Sequence, residues 1–500
     1  MIDYSAIFQQ AIITMASPSI IFLTAVGVFV GLVFGALPGL TATMGVALFI
    51  PLTYTMPGAH ALAMMVGCFI GGIAGGAVSA ILLHIPGTPA AVCSVFDGYP
   101  LARQGKGAEA LGWAAFASGW GSILSWLVLI TMAPALASVC VSFSSPEYAA
   151  LALFGLTIIS AVSGKSVTKG LLAGLIGLFI ACVGLDPVYG STRFTFGNIN
   201  LLSGIDTLPA IIGFFSLPEI LKSCTGKGNP QPLHITMKNF VPSIAKQIKH
   251  MLNILRSSII GTIVGIIPAT GSGIAAYIAY DQAKRFSKDP DSFGTGNVDG
   301  VIAAETANNA VCGGALIPML TLGIPGDSVT AVMLGGLMVH GYAPGPSLFA
   351  KNPDIIGAIF TCVLLASILM VVIQLVGIKI FIKILSVPVS YLSAILVVLS
   401  LIGCFALRNN FFDVTVGIAL GGLGYLMVRG GFPIAPAVLG LVLGGMFESE
   451  IRRSLQVSQG DLAIFFSRPV SLAVIVMSVA IIIAAFIKNM KRAKPALSKN

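Results

Sequence analysis

The sequence predicts an all-α polytopic membrane protein. It would have about ten to twelve transmembrane helices plus broken or re-entrant half-helices, arranged as two internal repeats. Three observations predict this. Of 500 residues, 56% are hydrophobic and 9% charged, with a mean hydropathy of +0.98. A soluble domain carries about 25% charged residues to cover its surface. Apolar stretches of spanning length recur along the whole chain. And 58 Gly and 27 Pro interrupt those stretches at matching places. This composition excludes a soluble enzyme, a disordered chain and, despite a net charge of +9, a nucleic-acid-binding protein.

The elements follow in order. The first apolar segment, 19–37, opens a strip of Gly27, Gly31, Gly35 and Gly39. Glycine at every fourth position gives a smooth strip against which another helix packs closely. Pro38-Gly39 ends this segment, and 41–54 follows. The segment 59–83 runs to Pro86-Gly87; 110–137, 148–162, 167–185 and 207–223 complete the first half. In the second half 251–267 ends at Pro268, 271–286 follows, and 300–322 runs to Pro325-Gly326. The segments 354–384, 389–407, 412–428, 433–447 and 469–488 complete the chain. A helix needs about 20 apolar residues to cross a bilayer, so the shorter, interrupted segments read as half-helices.

Charge divides the chain. No Lys or Arg precedes Arg103, six fall between Lys222 and Arg256, and five between Lys488 and Lys499. Lys and Arg gather in cytoplasmic loops. Residues 1–221 therefore read as the first repeat half, 222–250 as a cytoplasmic basic linker, and 251–500 as the second half with a cytoplasmic C-terminal tail. The N-terminus, with Asp3 and no basic residue, reads as external and lacks the charged start of a signal peptide. The eight Cys are scattered singly and read as buried thiols.

The halves echo each other in order. Gly35-Ala-Leu-Pro38-Gly39-Leu-Thr41 matches Gly265-Ile-Ile-Pro268-Ala-Thr270-Gly271. Gly75-Gly76-Ala77 with Ile85-Pro86-Gly87-Thr88 matches Gly313-Gly314-Ala315 with Ile324-Pro325-Gly326-Asp327. Asp97-Gly98-Tyr99 matches His340-Gly341-Tyr342. Paired, interrupted segments in corresponding halves point to a transporter's binding site.

The chemistry lies in the interruptions. Proline removes a backbone donor, glycine accepts conformations closed to other residues, and broken backbone inside a membrane survives only where protein or water covers it. Hydroxyls or other polar side chains follow each break: Thr41 and Thr43, Thr88, Thr270 and Ser272, Asp327 and Ser328. A helix starting there presents free N–H groups and a positive dipole end, which suits a carboxylate or phosphate. Kinks that only shape the bundle are the bland reading of a single break; four in two pairs favour a site. The substrate-binding candidates are Pro38, Gly39, Thr41, Thr43, Pro86, Gly87, Thr88, Thr270, Gly271, Ser272, Pro325, Gly326 and Ser328.

The run Glu305-Thr306-Ala307-Asn308-Asn309 places a carboxylate and two amides in an apolar segment, which is functional by default. Glu305, Asn308, Asn309 and Asp327 are the candidates for a coupling cation, Na⁺ or H⁺. Interhelical hydrogen bonding is the other reading of the first three, and helix capping of Asp327. No catalytic residue, resident metal beyond a coupling Na⁺, or organic cofactor is expected. Gly164-Lys165-Ser166 lacks the upstream glycine of a phosphate loop. Gly271-Ser-Gly273-Ile-Ala-Ala276 lacks the βαβ context of a dinucleotide fingerprint. The five His lack metal-ligand spacing.

The run Gly35-Ala-Leu-Pro-Gly-Leu-Thr-Ala-Thr-Met-Gly, the Ile-Pro-Gly-Thr-Pro segment leading to Asp97-Gly-Tyr-Pro-Leu-Ala-Arg-Gln-Gly-Lys-Gly, and the later Gly-Ile-Pro-Gly-Asp-Ser resemble the large membrane subunit of the tripartite tricarboxylate transporter family. The resemblance covers nearly the whole chain. It implies a bacterial inner-membrane secondary transporter that works with a small four-helix membrane subunit and a periplasmic solute-binding protein. It implies import of citrate-like di- and tricarboxylates driven by an ion gradient, with no ATP and no nucleic acid. It also places the family's Gly- and Pro-rich motifs on Gly35 to Thr41, Pro86 to Thr88, Pro268 to Gly271 and Pro325 to Ser328. The alternative is a channel, which would use the same broken half-helices, or another secondary carrier for small organic anions.

Overall fold

The computed structural model describes residues 4–140, 142–162, 166–186, 190–224, 240–268, 270–385, 389–406 and 408–497. Linker residues 225–239, with His234, lie outside the described residues, as do Gly164-Lys165 and Ala269 of the third break. The side chains of 222–224 and of the tail from Lys488 onward also lie outside.

The described chain is almost wholly α-helical. Its first half holds α1 (Tyr4–Met15), α2 (Pro18–Ala36), α3 (Ala42–Thr53), α4 (Gly58–Leu83), α5 (Ser94–Leu101), α6 (Gly107–Cys140), α7 (Ser145–Val162), α8 (Val167–Ala181), α9 (Thr207–Ile211) and α10 (Leu217–Cys224). Then come α11 (Ile244–Lys249), α12 (Met251–Ile266), α13 (Gly271–Arg285), α14 (Val298–Leu322), α15 (Ser328–Val339) and α16 (Pro346–Lys351). The chain closes with α17 (Pro353–Ile384), α18 (Val389–Ala406), α19 (Phe411–Arg429), α20 (Ile434–Val457), α21 (Ile464–Ser467) and α22 (Pro469–Leu497). A two-stranded antiparallel ladder pairs β1 (Gly184–Leu185) with β2 (Thr192–Arg193).

Seven helical segments among the described residues are long and apolar enough to cross a membrane, and six apolar helices are shorter. Long and short helices together fit the expected mixture of full spans and half-helices, and the interruptions account for short ones. Breaks at Pro38-Gly39 and Pro268 leave α3 at 12 residues and α13 at 15.

Glycine sets the closest helix pairs. The strip on α2 faces α4: a Cβ on Gly27 would meet the Met64 carbonyl, on Gly31 that of Cys68, on Gly35 that of Gly72. Reciprocally, Gly67, Gly71 and Gly75 of α4 meet backbone carbonyls of α2. The strip stops at Gly35, because the helix ends at Ala36 and Gly39 turns with φ +90° in the break. The second half repeats the device, with Gly261 and Gly265 of α12 against Ala307, Val311 and Gly314 of α14. Backbones this close gain dispersion and weak hydrogen bonds that a larger side chain would exclude.

Two helices form the centre. From Ala61 to Leu83, α4 is buried throughout, and α14 is buried from Gly300 to Thr321. Thus α14 carries Glu305, Asn308 and Asn309 into the interior, where α6, α12 and α13 pack around it. Contacts also join the two halves. Thr43 Oγ1 of α3 lies 3.2 Å from Ser328 Oγ of α15. Asp97 of α5 accepts backbone N–H groups from the α13–α14 connection, and His340 Nε2, at the end of α15, lies 3.0 Å from the Thr53 carbonyl of α3.

Candidate functional site

All four breaks open on one cavity of about 870 Å³, within the range of about 300–1,000 Å³ typical of small-molecule sites. Thr41 and Thr43 line it from the first break, Thr88 from the second, Thr270, Gly271 and Ser272 from the third, Asp327 and Ser328 from the fourth. Residues some 290 positions apart in sequence (Thr41 and Ser328) therefore share one wall. Among the described residues the lining holds no Lys, Arg or His, and Asp327 is its one carboxylate.

Among the described residues four helices begin here, α3, α13, α15 and α20; α20 follows Pro433 without a side-chain cap, and the first turns of the other three differ. In α3 the Thr41 hydroxyl accepts the Met44 N–H at 3.2 Å, an ordinary N-cap. In α15 Asp327 accepts the Thr330 N–H at 2.8 Å while Thr330 Oγ1 accepts the Asp327 N–H at 2.9 Å, a capping box. In α13 no side chain caps the first turn. Its N-cap hydroxyl, Thr270 Oγ1, turns back to donate to the carbonyls of Val264 and Ile267 at the end of α12. The opening N–H groups of α13 therefore remain free of side-chain caps at the cavity wall, next to Pro89, whose carbonyl a Cβ on Gly273 would meet. The second break differs from the expected helix start: a three-residue 3-10 turn, Pro89–Ala91, follows it, and α5 begins only at Ser94.

The remaining Pro and Gly candidates stand behind this wall. Pro38 and Gly39 form the α2–α3 turn, and Pro86, Gly87, Pro325 and Gly326 shape their own breaks without lining the cavity. Their role is close approach. A Cβ on Gly87 would meet the Gly35 carbonyl, and one on Gly326 the Gly265 carbonyl, so each second break is seated on its half's first.

Glu305, Asn308 and Asn309 are fully buried and do not line the cavity. Glu305 Oε1 accepts from the Ser94 hydroxyl of α5; Oε2 accepts from Ser118 of α6 at 3.2 Å and from Asn308 Nδ2 at 3.2 Å. Asn308 Nδ2 also donates to the Ala90 carbonyl at 3.3 Å, and Ala90 lines the cavity. Asn309 Nδ2 donates to Ser122 Oγ at 3.2 Å. Among the described residues, Asn308 Oδ1, Asn309 Oδ1, Thr306 Oγ1 and Thr88 Oγ1 are buried without a hydrogen-bond partner. Asp327, grouped with Glu305 by the sequence, sits apart in its capping box on the wall.

Sequence reasoning missed Ser94 and Ser118, which only the fold brings to Glu305. It also missed the α19–α20 turn, where Gly431, Phe432 and Pro433 complete the cavity lining, and Tyr277 of α13. The signal for that turn was present: Gly430-Gly431-Phe432-Pro433 has the same Gly and Pro grammar as the breaks.

Residues 21–439 match the family described as the tripartite tricarboxylate transporter TctA family. The chain belongs to this family. The TctA-family match spans all four breaks and the α19–α20 turn. Two similar proteins are from Agrobacterium vitis. One, described as an uncharacterized 52.8 kDa protein in the TAR-I ttuC' 3' region, is 33% identical over 478 residues, covering 96% of this chain and 95% of its own. Another, described as an uncharacterized protein in the TAR-II ttuC' 3' region, is 34% identical over 231 residues, 46% of this chain and 96% of its own. No solved structure matches. The TctA-family chain is thus a multi-pass membrane subunit of a tripartite tricarboxylate transporter, a system built with partner subunits.

Proposed function

We propose that this subunit imports citrate-like di- or tricarboxylates across a bacterial inner membrane, driven by a Na⁺ or H⁺ gradient. A periplasmic binding protein delivers the cargo, a small four-helix membrane subunit accompanies the chain, and the C-terminus faces the cytoplasm. The observation that carries this reading is the convergence of four helix N-termini, α3, α13, α15 and α20, on one cavity with six Ser and Thr residues on its wall. Such ends hold negative charge by backbone N–H groups and dipole. The uncapped start of α13, with Thr270 and Ser272 beside it, is the strongest place for a carboxylate: α3 and α15 already direct first-turn donors to their own caps, and the uncapped first turn of α20 carries Pro436, which has no N–H, and no hydroxyl. Asp327 would repel an anion at α15.

The coupling ion belongs at Glu305. An ionised carboxylate inside a membrane needs compensation, and no Lys, Arg or His contacts it among the described residues. A proton, or a Na⁺ held with the unpartnered oxygens of Asn308 and Asn309, would supply it. Asn308, bonded to both Glu305 and Ala90, joins that site to the cavity wall.

We also propose that the two halves descend from one duplicated unit. Supporting this, Asp97 reaches the α13–α14 connection while its counterpart His340 reaches the end of α3, and Gly87 on Gly35 is matched by Gly326 on Gly265.

The test is labelled-citrate uptake by proteoliposomes holding this chain with both partners under an imposed Na⁺ or H⁺ gradient. Concentrative, gradient-dependent uptake is expected. Equilibration indifferent to the gradient would favour a channel instead.

A further inference from the structure

A cavity for di- or tricarboxylates without a Lys, Arg or His on its wall lacks an obvious counter-charge. A cation does touch two residues of that wall. Lys169 lies in the first turn of α8, where the positive end of the helix disfavours a cation. Its Nζ donates to the Gly430 carbonyl at 2.6 Å and sits 5.3 Å from the centre of the Phe432 ring. A Cβ on Gly431 would come within 3.4 Å of the same Nζ. Gly431 and Phe432 both line the cavity.

Lys169 has no acidic partner among the described residues. Other basic groups do: Arg193 pairs with Glu448, Arg408 with Asp413, Arg452 with Asp186 and Arg468 with Glu147. Arg429, next to the same turn in sequence, lies over Tyr425 instead.

We propose that Lys169 supplies the positive charge that holds an anionic cargo in the cavity, acting across the thin wall of Gly431 and Phe432. This rests on the carboxylate-carrier reading above. The Lys169–Gly430 contact is exposed, so screening confines the ammonium's field to short range, and one ring or one glycine is all that separates it from a carboxylate in the cavity. Gly431, with φ +72° and no side chain, keeps the wall thin where the ammonium approaches. The flexible lysine stem also lets the ammonium follow the cargo. A purely structural role is the rival: a lysine neutralising the C-terminal carbonyls of α19.

Charge separates the two. Lys169→Gln keeps a donor for the Gly430 carbonyl and removes the charge; Lys169→Arg keeps the charge. Uptake of labelled citrate and labelled succinate is measured in proteoliposomes with both partner subunits, and melting of each variant is recorded. For Lys169→Gln, KM for citrate rises about tenfold with the maximal rate within about twofold. KM for the less charged succinate rises less, and Lys169→Arg stays within about threefold of wild type. Equal changes for both anions, a fall in rate at constant KM, or failure of Lys169→Arg to restore KM would overturn the charge role. If wild type carries neither anion, the carrier reading falls and this one with it. If wild type carries them and Lys169→Gln behaves like wild type, only the Lys169 proposal falls.

Discussion

Asp97 Oδ1 accepts the backbone N–H of Asn297 at 2.8 Å, binding α5 of the first half to the connection that precedes α14 in the second. The same oxygen accepts the N–H groups of Gly294 at 2.8 Å and Gly296 at 2.9 Å, and Oδ2 accepts the Tyr280 hydroxyl at 2.8 Å. The carboxylate is fully buried, so four donors replace its water. Asp97→Ala should leave three backbone donors unsatisfied and lower stability by about 2–4 kcal/mol. Melting in detergent, together with faster tryptic cleavage after Arg285 and Lys288, checks this. Unchanged cleavage would mean that the connection is held by something else.

Gly87 and Gly326 each lie against a carbonyl of the preceding break, those of Gly35 and Gly265. Gly87→Ala and Gly326→Ala should each destabilise by about 1–3 kcal/mol through overpacking against backbone. Gly422→Ala and Gly445→Ala, helical and with open space around them, should be neutral or gain up to about 1 kcal/mol in helix propensity. Parallel thermal melts of the four variants decide the matter; equal shifts would remove the close-approach account.

Ser272 lies in the uncapped first turn of α13. Ser272→Asp should hold or raise stability by about 0.5 kcal/mol, since an acid suits a helix N-terminus. It should nevertheless depress citrate uptake at least about tenfold, by occupying the donors offered to the cargo. Stability and uptake moving in opposite directions is the expected signature. Undiminished uptake would place the carboxylate elsewhere.

Glu305 and Asp327 should separate in function as they do in space. Glu305→Gln should abolish the dependence of uptake on the imposed gradient, because the amide neither releases a proton nor carries charge for Na⁺. Asp327→Asn should retain that dependence and change stability by less than about 1 kcal/mol, since Asn caps helices about as well as Asp. Uptake measured over a range of Na⁺ concentrations and pH values checks both. Loss of ion dependence in Asp327→Asn would return that residue to the ion site.

Much of the candidate site was legible because its signals are local. Pro38-Gly39 and Pro325-Gly326 end helices through their own covalent geometry, and Thr41 and Asp327 cap the next ones from adjacent positions. The strip from Gly27 to Gly35 likewise announced a close neighbour, though not that the neighbour would be α4. Ser94 and Ser118 were illegible, because a serine in an apolar segment reads as packing until a carboxylate is brought beside it. Lys169, inside the 167–185 segment, carries no local signal, and its contact with Phe432 spans more than 260 residues.

The sequence by itself determined the membrane environment, the helical class, the breaks and the buried polar run of α14, since these follow from composition and from neighbours within a turn or two. Only the tertiary structure decided that four breaks share one cavity, that α13 meets it without a side-chain cap, and that Glu305 is buried away from the lining while Asp327 is part of it. Those relationships depend on which helices pack together, and packing is set by shape complementarity between surfaces far apart in the chain.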